Sequence, residues 1–385
     1  MKYLVLGSGL MGRAVAYDLA KNDNTTEIRL ADINITSLKD VKEWINSSLI
    51  KIIELDARDH FKVLEAMKGV NVVINCMTYH YSYDMVKLAI QSGVNYCDLG
   101  SSEEIINKVF ALDNEAKNVG VTIMPSCGLA PGVVSIIATA GFEKCDKVEE
   151  IHLRVGGLPQ NPKPPLDYSI VFSVKGLMHE YLKAVEVVRN GKLMKLGSLS
   201  EIEELCFPEP FGKVEAFNTA GGAATLPKTL AGKVNVVDYK TIRYKGHCEK
   251  IKTIFDLGFK SEEEVKIGNC MVSPIEVLEK MLEKSLTYED PKDVTLVLVE
   301  VIGYEENRKK KITYQIMDYY DEQKNITSMM RMTAFPTSII AQMIANEIIT
   351  KKGVLTQEFN VPASKMLENM RKRNIKVEEK IEFFD

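Results

Sequence analysis

The sequence of 385 residues has one tryptophan, five histidines and no Cys-x-x-Cys pair. Its cysteines, Cys76, Cys97, Cys127, Cys145, Cys206, Cys248 and Cys270, are odd in number and widely spaced. That argues against a disulfide scaffold or a zinc site and fits thiols kept reduced in a cytoplasmic compartment. The histidines are scattered, with no His-Glu-x-x-His, so no metal is expected. Basic charge is not in excess: the formal net charge is −4 and the pI near 5.9, against a general nucleic-acid binder. The one basic cluster, Arg308 to Lys311, adjoins Glu305 and Glu306 and reads as a solvated turn. No apolar run approaches the roughly 18 residues of a membrane span. The N-terminal apolar run, broken by glycines, reads as a strand rather than a secretion signal. Internal repeats and low-complexity tracts are absent. Neither a nucleic-acid nor a membrane partner is expected.

What is present begins at once. Tyr3-Leu4-Val5-Leu6 feeds Gly7-Ser8-Gly9-Leu10-Met11-Gly12, and an amphipathic segment, Ala14 to Ala20, follows. A G-x-G-x-x-G triplet is weak evidence alone, but here it links a strand to a helix and precedes an acidic residue, Asp32, by about twenty positions. Gly7 permits the tight turn, Gly9 lets backbone approach a pyrophosphate, and Gly12 lets helix and strand pack closely. The helix N-terminus favours the phosphates. Asp32 ends the run Ile28 to Asp32, where a carboxylate accepts ribose hydroxyls and repels a 2′-phosphate. No Arg or Lys follows directly, so NAD is expected over NADP.

Strand and helix patterns alternate through residue 128, as in a doubly wound parallel sheet with helices on both faces. Strands are expected at Lys51–Leu55, Asn71–Cys76, Asn95–Leu99 and Val121–Met124, making six with the first two. Helices are expected at His60–Lys68, Ser82–Ser92 and Glu103–Val119. The texture changes near Pro125, where Ser126 to Gly132 reads as a hinge leading into a helix from Val133. Beyond Lys147 a second, mixed α/β domain is expected. Its strands are Ile151–Val155, Tyr168–Val174, Thr295–Ile302 and Lys311–Met317, and its helix is Leu177–Val188, stopped by Gly191. The proline-rich Gly157–Pro165 reads as an irregular loop. A strong helix, Ser338–Thr350, ends the pattern. The expected domains are residues 1–130, 131–332 and 333–385.

Several segments together resemble the saccharopine dehydrogenase family in its short, single-function form. They are the glycine loop, Val94 to Gly100, Cys127 to Gly132, Asp167-Tyr168-Ser169 through Glu180-Tyr181, Thr241-Ile242-Arg243-Tyr244-Lys245-Gly246-His247, and Thr333 to Pro336 running into Ile339 to Met343. One departure is Lys245, where relatives commonly carry proline. The resemblance implies an N-terminal Rossmann domain, a second domain for substrate binding and dimerisation, a C-terminal helix returning to the first, and a homodimer. The tail around Gly353-Val354-Leu355 is most similar to members that oxidise the lysine ε-amine with NAD, releasing ammonia. Enzymes acting on saccharopine or related secondary amines are the alternative, and an NAD-sensing dimeric binding protein is the non-enzymatic one.

Oxidising an amine requires its deprotonated form, and a lysine ε-amine has a reference pKa near 10.4, so a base or desolvation is needed. Parallel-sheet sites open at the carboxyl ends of strands. This places Asp56 and Cys76 with the cofactor, Tyr79 and His80 with the substrate, and Asp98 as a group that binds the substrate amine or takes its proton, or else as a helix cap or structural hydrogen-bond acceptor. In the second domain Lys175, His179, Arg243 and His247 are candidates. Arg243 is the expected carboxylate anchor, since a guanidinium holds a carboxylate bidentately. His179 and Lys175, one helical turn apart, are alternative bases. Gly221 to Thr225 reads as a flexible loop that closes over the amino-acid substrate through backbone donors, or as a plain turn. Cys127 reads as a buried thiol rather than a nucleophile.

Overall fold

The structure is a computed structural model that describes residues 1–170, 173–290 and 292–384. The chain folds into two compact units. The first comprises Met1–Lys144, Ala224–Leu226 and Met330–Val377; the second comprises Cys145–Ala223, Pro227–Met329 and the residues from Glu378. The expected break at 130/131 thus precedes a helix, Val133–Phe142, that groups with the first unit. The tail from 333 divides. Its helix Ala363–Lys372 returns to the first unit, and its last strand, Glu378–Phe384, pairs in the second unit's sheet.

The first unit is built on a seven-stranded parallel sheet. Its order is Gly353–Val354, Thr122–Met124, Asn95–Asp98, Val72–Asn75, Lys2–Leu6, Glu27–Asp32, Ile50–Glu54. Tyr3 to Leu6 and Val72 to Ile74 have no exposed surface, as strands covered on both faces require. The chain order reverses between Lys2–Leu6 and Val72–Asn75, the place where such sheets bind ligands. The expected six strands lack one: Gly353, read as lying beyond a helix end, pairs with Thr122. The helix expected over Glu103–Val119 is two, Glu103–Phe110 and Asp113–Val119, because Leu112 turns inward to be buried between them. The strong helix runs Ser328–Ala345 rather than 338–350, tolerating Pro336, and Ile348 beyond it is exposed.

The second unit is a nine-stranded mixed sheet with helices. At its centre Lys147–Pro159 pairs parallel to Val236–Tyr244 and antiparallel to Asp293–Glu305. Gly157-Leu158-Pro159 therefore belongs to a strand, not to the expected loop; pairing with Asp293 to Thr295 extends it, and Leu158 is fully buried. Arg308–Lys311 is likewise strand rather than turn. The turn is Glu306-Asn307, both at positive φ (50° and 63°), the geometry a two-residue hairpin needs. Lys310 is buried against Glu305 at 2.8 Å.

The helix expected over Leu177–Val188 is Val174–Leu182, and Val185–Arg189 pairs as a hairpin with Lys192–Leu196. Asn190-Gly191, at φ 52° and 75°, is the hairpin turn rather than a helix stop. Residues 168–170 of the expected strand Tyr168–Val174 are not strand, Val174 opens the helix, and Val171 and Phe172 lie outside the described residues.

Alternation along Val236–Tyr244 divides its side chains between two faces. Asp238 and Lys240 lie on one. There Asp238 receives Arg154 at 2.6 Å, Arg189 at 3.0 Å and His152 at 2.9 Å; burial opposes its charge, but His152 and Arg154 together hold its carboxyl far below the usual range. Tyr239, Thr241 and Arg243 lie on the other. That face carries the candidate site.

Candidate functional site

In the first unit the glycine loop fits a dinucleotide. Gly7 turns at φ +98°, and a Cβ on Gly12 would lie 1.8 Å from the Gly7 carbonyl oxygen. Gly9 faces open space. It begins the helix Leu10–Ala20, whose first N–H groups no side chain caps and whose first turn holds no acidic residue. Uncapped N–H groups with helix polarity behind them are an anion cradle. Leu10 is exposed at the rim and Met11 is half-buried beside it. Asp32 lies against the loop: the Ser8 N–H donates to its Oδ2 at 2.7 Å and the Asn34 N–H to its Oδ1 at 2.9 Å. Ser8 is tied to the next helix through Ser37 Oγ at 2.7 Å.

Of the other first-unit candidates only Cys76 is seen against this loop among the described residues. Cys76 backs it, with its Cβ 3.5 Å from where a Gly12 side chain would begin, and burial pushes its thiol up. Asp56 is engaged by the Arg58 guanidinium, its shortest contact being 2.6 Å, which lowers its carboxyl to about 2. Tyr79 and His80 stack at 4.1 Å in the turn Tyr79–Tyr81, the first half-buried and the second exposed. Thr225 donates to Glu358 at 2.7 Å.

Asp98 is entirely buried. Its Oδ1 accepts the Ser126 N–H at 2.7 Å and its Oδ2 the Tyr96 hydroxyl at 3.0 Å. Burial raises its carboxyl to about 6 against these bonds. Both carboxylate oxygens are thus engaged in structural hydrogen bonds within the protein. Cys127 is buried with its thiol pushed up by burial. All seven cysteines are free, and among the described residues no cluster of His, Cys, Asp or Glu suits a metal ion.

In the second unit the structure gathers side chains that the sequence scatters. Arg243 is buried, its guanidinium 4.4 Å from the Tyr168 ring centre. Its Nε–H donates to the Tyr181 hydroxyl at 3.0 Å and its Nη1–H to the Ile242 carbonyl at 2.9 Å. Tyr181 Oη lies 2.9 Å from His247 Nε2, and His247 Nδ1 lies 3.0 Å from the Leu166 carbonyl oxygen. That carbonyl can only accept, so Nδ1 carries the proton and Nε2 accepts from Tyr181. A directional chain results: Arg243 to Tyr181 to His247 to backbone. Burial, then Arg243, hold His247 neutral by lowering it to about 3.

Local sequence builds this arrangement. Arg243 is near the end of its strand, Gly246 turns at φ +90°, and His247 starts a helix whose Gly246 and Cys248 N–H groups are accepted by Glu215 at 2.8 and 2.7 Å. Gly222 packs on the phenol of Tyr239, where a Cβ would lie 2.1 Å from Cζ, so this part of the expected flexible loop lies against the sheet.

The remaining candidates are placed less centrally. Lys175 is exposed, and His179 is half-buried, its ring held below its ordinary value by burial and then by Lys183. Their neighbour Glu180, absent from the expected set, is half-buried; burial raises its carboxyl to about 7 although the Arg243 charge opposes this. Tyr181 packs in the apolar cluster with Leu177 and Met178 and is also a hydrogen-bond partner of Arg243. The signal for Glu180 was its position next to Tyr181 on the same helix.

Residues 3–124 match the family model of the saccharopine dehydrogenase NADP binding domain, and residues 128–375 that of the saccharopine dehydrogenase C-terminal domain. The NADP-dependent, L-glutamate-forming saccharopine dehydrogenase of Saccharomyces cerevisiae is 26% identical over 302 residues, covering 74% of this chain and 65% of that enzyme. Its counterpart in Schizosaccharomyces pombe is 21% identical over 452 residues, covering 98% of each. Carboxyaminopropylagmatine dehydrogenase of Synechocystis is 25% identical over 162 residues, 39% of each. In structure, the apo L-glutamate-forming saccharopine dehydrogenase of S. cerevisiae superposes with a TM-score of 0.82 at 18% identity, covering 99% of both chains. The homospermidine synthase of Legionella pneumophila, solved with NAD, gives 0.71 at 14% identity, covering 98% of this chain and 91% of that one. Both superpositions speak for the fold.

Proposed function

Because the chain belongs to the saccharopine dehydrogenase family of oxidoreductases that act on amino-acid CH–NH donors, we propose that it oxidises the ε-amine of lysine with NAD, as an L-lysine 6-dehydrogenase does. The observation that carries the substrate class is Arg243: buried, fixed on one side by Tyr181 and Tyr168, and with no carboxylate partner among the described residues. A guanidinium so held is a preorganised carboxylate anchor.

The supply of cations favours a substrate with one carboxylate. Of the arginines in residues 151–330, Arg154 and Arg189 are committed to Asp238, Glu203 and Glu201. Arg308 lies over the ring of Phe383. Arg243 alone adjoins the tyrosine cluster, whereas saccharopine carries further carboxylates that ask for further cations.

For the nucleotide, Asp32 beside the glycine loop favours a free 2′-hydroxyl and supports NAD. The matching family model and both yeast relatives are described as NADP-binding or NADP-dependent, so this preference is a departure proposed for this chain. The glycine loop, the uncapped helix and Asp32 would hold the dinucleotide, which supplies the hydride acceptor when bound. The protein's own part is to orient the amine and remove its proton. Of the three expected acceptors, His179 suits the second task best: it is half-buried and held neutral, whereas Asp98 has no exposed surface and Lys175 faces solvent. After oxidation, water attacks the substrate imine and ammonia leaves. A homodimer working in the cytoplasm completes the proposal; no helix among the described residues is long and apolar enough to cross a membrane.

The test is reduction of NAD or NADP by the purified protein with L-lysine or saccharopine, assaying ammonia and glutamate. Lysine-dependent reduction of NAD with stoichiometric ammonia is expected. Reduction with saccharopine alone, yielding glutamate and no ammonia, would move the assignment to the saccharopine enzymes.

A further inference from the structure

His247 uses both ring nitrogens, and each reaches a different holder of Arg243. Its Nε2 accepts the Tyr181 hydroxyl proton at 2.9 Å, and its Nδ1 donates to the Leu166 carbonyl at 3.0 Å. Tyr181 in turn accepts from Arg243 Nε at 3.0 Å. Leu166 stands two residues before Tyr168, whose ring lies against the guanidinium. The helix His247–Ile254 grips the Tyr168 segment a second time: Lys250 Nζ donates to the Pro165 carbonyl at 2.6 Å and meets Asp167 at 3.3 Å. Tyr168, Tyr181, Arg243 and His247 are all buried. The imidazole is itself packed among rings. It stacks on Phe217 with centres 6.3 Å apart and meets Tyr168 and Tyr181 edge to face at 5.6 and 5.9 Å.

A phenol carries one proton. With that proton on His247, the Tyr181 oxygen is left to accept from Arg243. Without the imidazole the buried hydroxyl would lack an acceptor, and turning to find one would turn its lone pairs away from Nε. Filling Nε has a consequence for the guanidinium. The edge that pairs Nε with Nη2 is closed to a carboxylate, and one Nη1 proton is on the Ile242 carbonyl. Nη2 has no acceptor among the described residues, yet it is not one of the orphaned polar atoms sealed from solvent. The open part of Arg243 is its η end.

We propose that His247 and Tyr181 are positioning residues that fix Arg243 so that it presents its η end, and only that end, to the substrate carboxylate. These roles rest on the reading above that Arg243 is the carboxylate anchor. Neither residue needs to touch substrate. A guanidinium on a free stem loses rotamer freedom when it binds, whereas one held in advance loses little. Burial, then the Arg243 charge, keep His247 neutral, so Nε2 stays an acceptor at neutral pH.

Calorimetric titration of the full-length protein and its variants with L-lysine, saccharopine and cadaverine (no carboxylate) tests this. The wild type should bind L-lysine or saccharopine roughly tenfold or more tighter than cadaverine, and Arg243→Ala should erase that preference. Tyr181→Phe keeps the packed ring and removes only the hydroxyl. It should cut the preference roughly fivefold while cadaverine affinity stays put. His247→Phe should do the same, and the double variant should cost less than the product of the singles, because His247 acts through Tyr181. If His247→Phe does not fold, Tyr181→Phe decides alone.

A preference kept in full by either variant, single effects that multiply, or an equal loss for cadaverine would each overturn the positioning roles. If Arg243→Ala still erases the preference in that case, the anchor reading stands without them. No preference in the wild type, or one that Arg243→Ala leaves intact, removes the anchor and the positioning roles with it.

Discussion

The two units prepare for their ligands in opposite ways. The first concentrates its candidate site in one six-residue turn, Gly7 to Gly12, whose working groups are backbone N–H bonds and whose side chains matter mainly by being absent. The second assembles its site from Tyr168, Tyr181, Arg243 and His247, carried by several elements and joined by side-chain hydrogen bonds and a guanidinium–ring contact. Two carboxylates, Asp98 buried and Glu180 half-buried, repeat the contrast. Asp98 in the first unit has both oxygens occupied by protein donors, whereas Glu180 in the second makes no such bond among the described residues. A phosphate is a common ligand that repeating backbone geometry can hold. An amino-acid head group demands charges at particular points, which only packed side chains provide.

Breaking the backbone site should have the largest effect. Gly12→Val places a side chain where a Cβ already lies 1.8 Å from the Gly7 oxygen, so nucleotide affinity should fall roughly a hundredfold or more. Titration of nucleotide by fluorescence checks this, and unchanged affinity would remove the loop from the site. Breaking the side-chain site should act on the other ligand. Arg243→Ala is expected to raise the KM for the amine substrate by up to roughly a hundredfold while nucleotide affinity stays put. A KM near that of the wild type would take Arg243 out of carboxylate binding.

The committed carboxylate can be separated from the uncommitted one by pH. Asp98 is raised in the folded state from 3.8 to about 6. Between these values the unfolded chain ionises first, so stability falls as pH rises through the window, by at most about 3 kcal/mol from this group. Asp98→Asn should lower that slope in urea denaturation midpoints between pH 4 and pH 7. An unchanged slope would show that Asp98 does not titrate as its burial implies. The smallest change expected is one of preference. Asp32→Arg should shift the ratio of NAD to NADP use by roughly tenfold toward NADP, since a guanidinium there accepts a 2′-phosphate that a carboxylate repels. Steady-state rates with each nucleotide decide it, and an unaltered ratio would sink the role given to Asp32.

The local signals held and the non-local ones failed for identifiable reasons. Gly7, Gly9 and Gly12 announce their turn because steric exclusion acts between near neighbours, and Asp32 follows one strand later. The strands of the first sheet, buried on both faces, read directly as apolar runs. Leu177 to Val188 misled because apolar residues at helical spacing also suit a helix followed by a hairpin, and Asn190-Gly191 carried the correct signal. Gly157 to Pro159 and Arg308 to Lys311 misled because proline and charge suggest loops, while pairing with already formed strands overrides propensity.

By itself, then, the sequence determined the nucleotide turn, the alternating architecture of the first unit and the family, since each is written in residues close along the chain. Only the tertiary structure decided that Arg243 meets Tyr181 and Tyr168 and that His247 is neutral at the end of their chain. Those relations depend on burial and on distances between elements far apart in sequence, and neither quantity exists until the chain has packed.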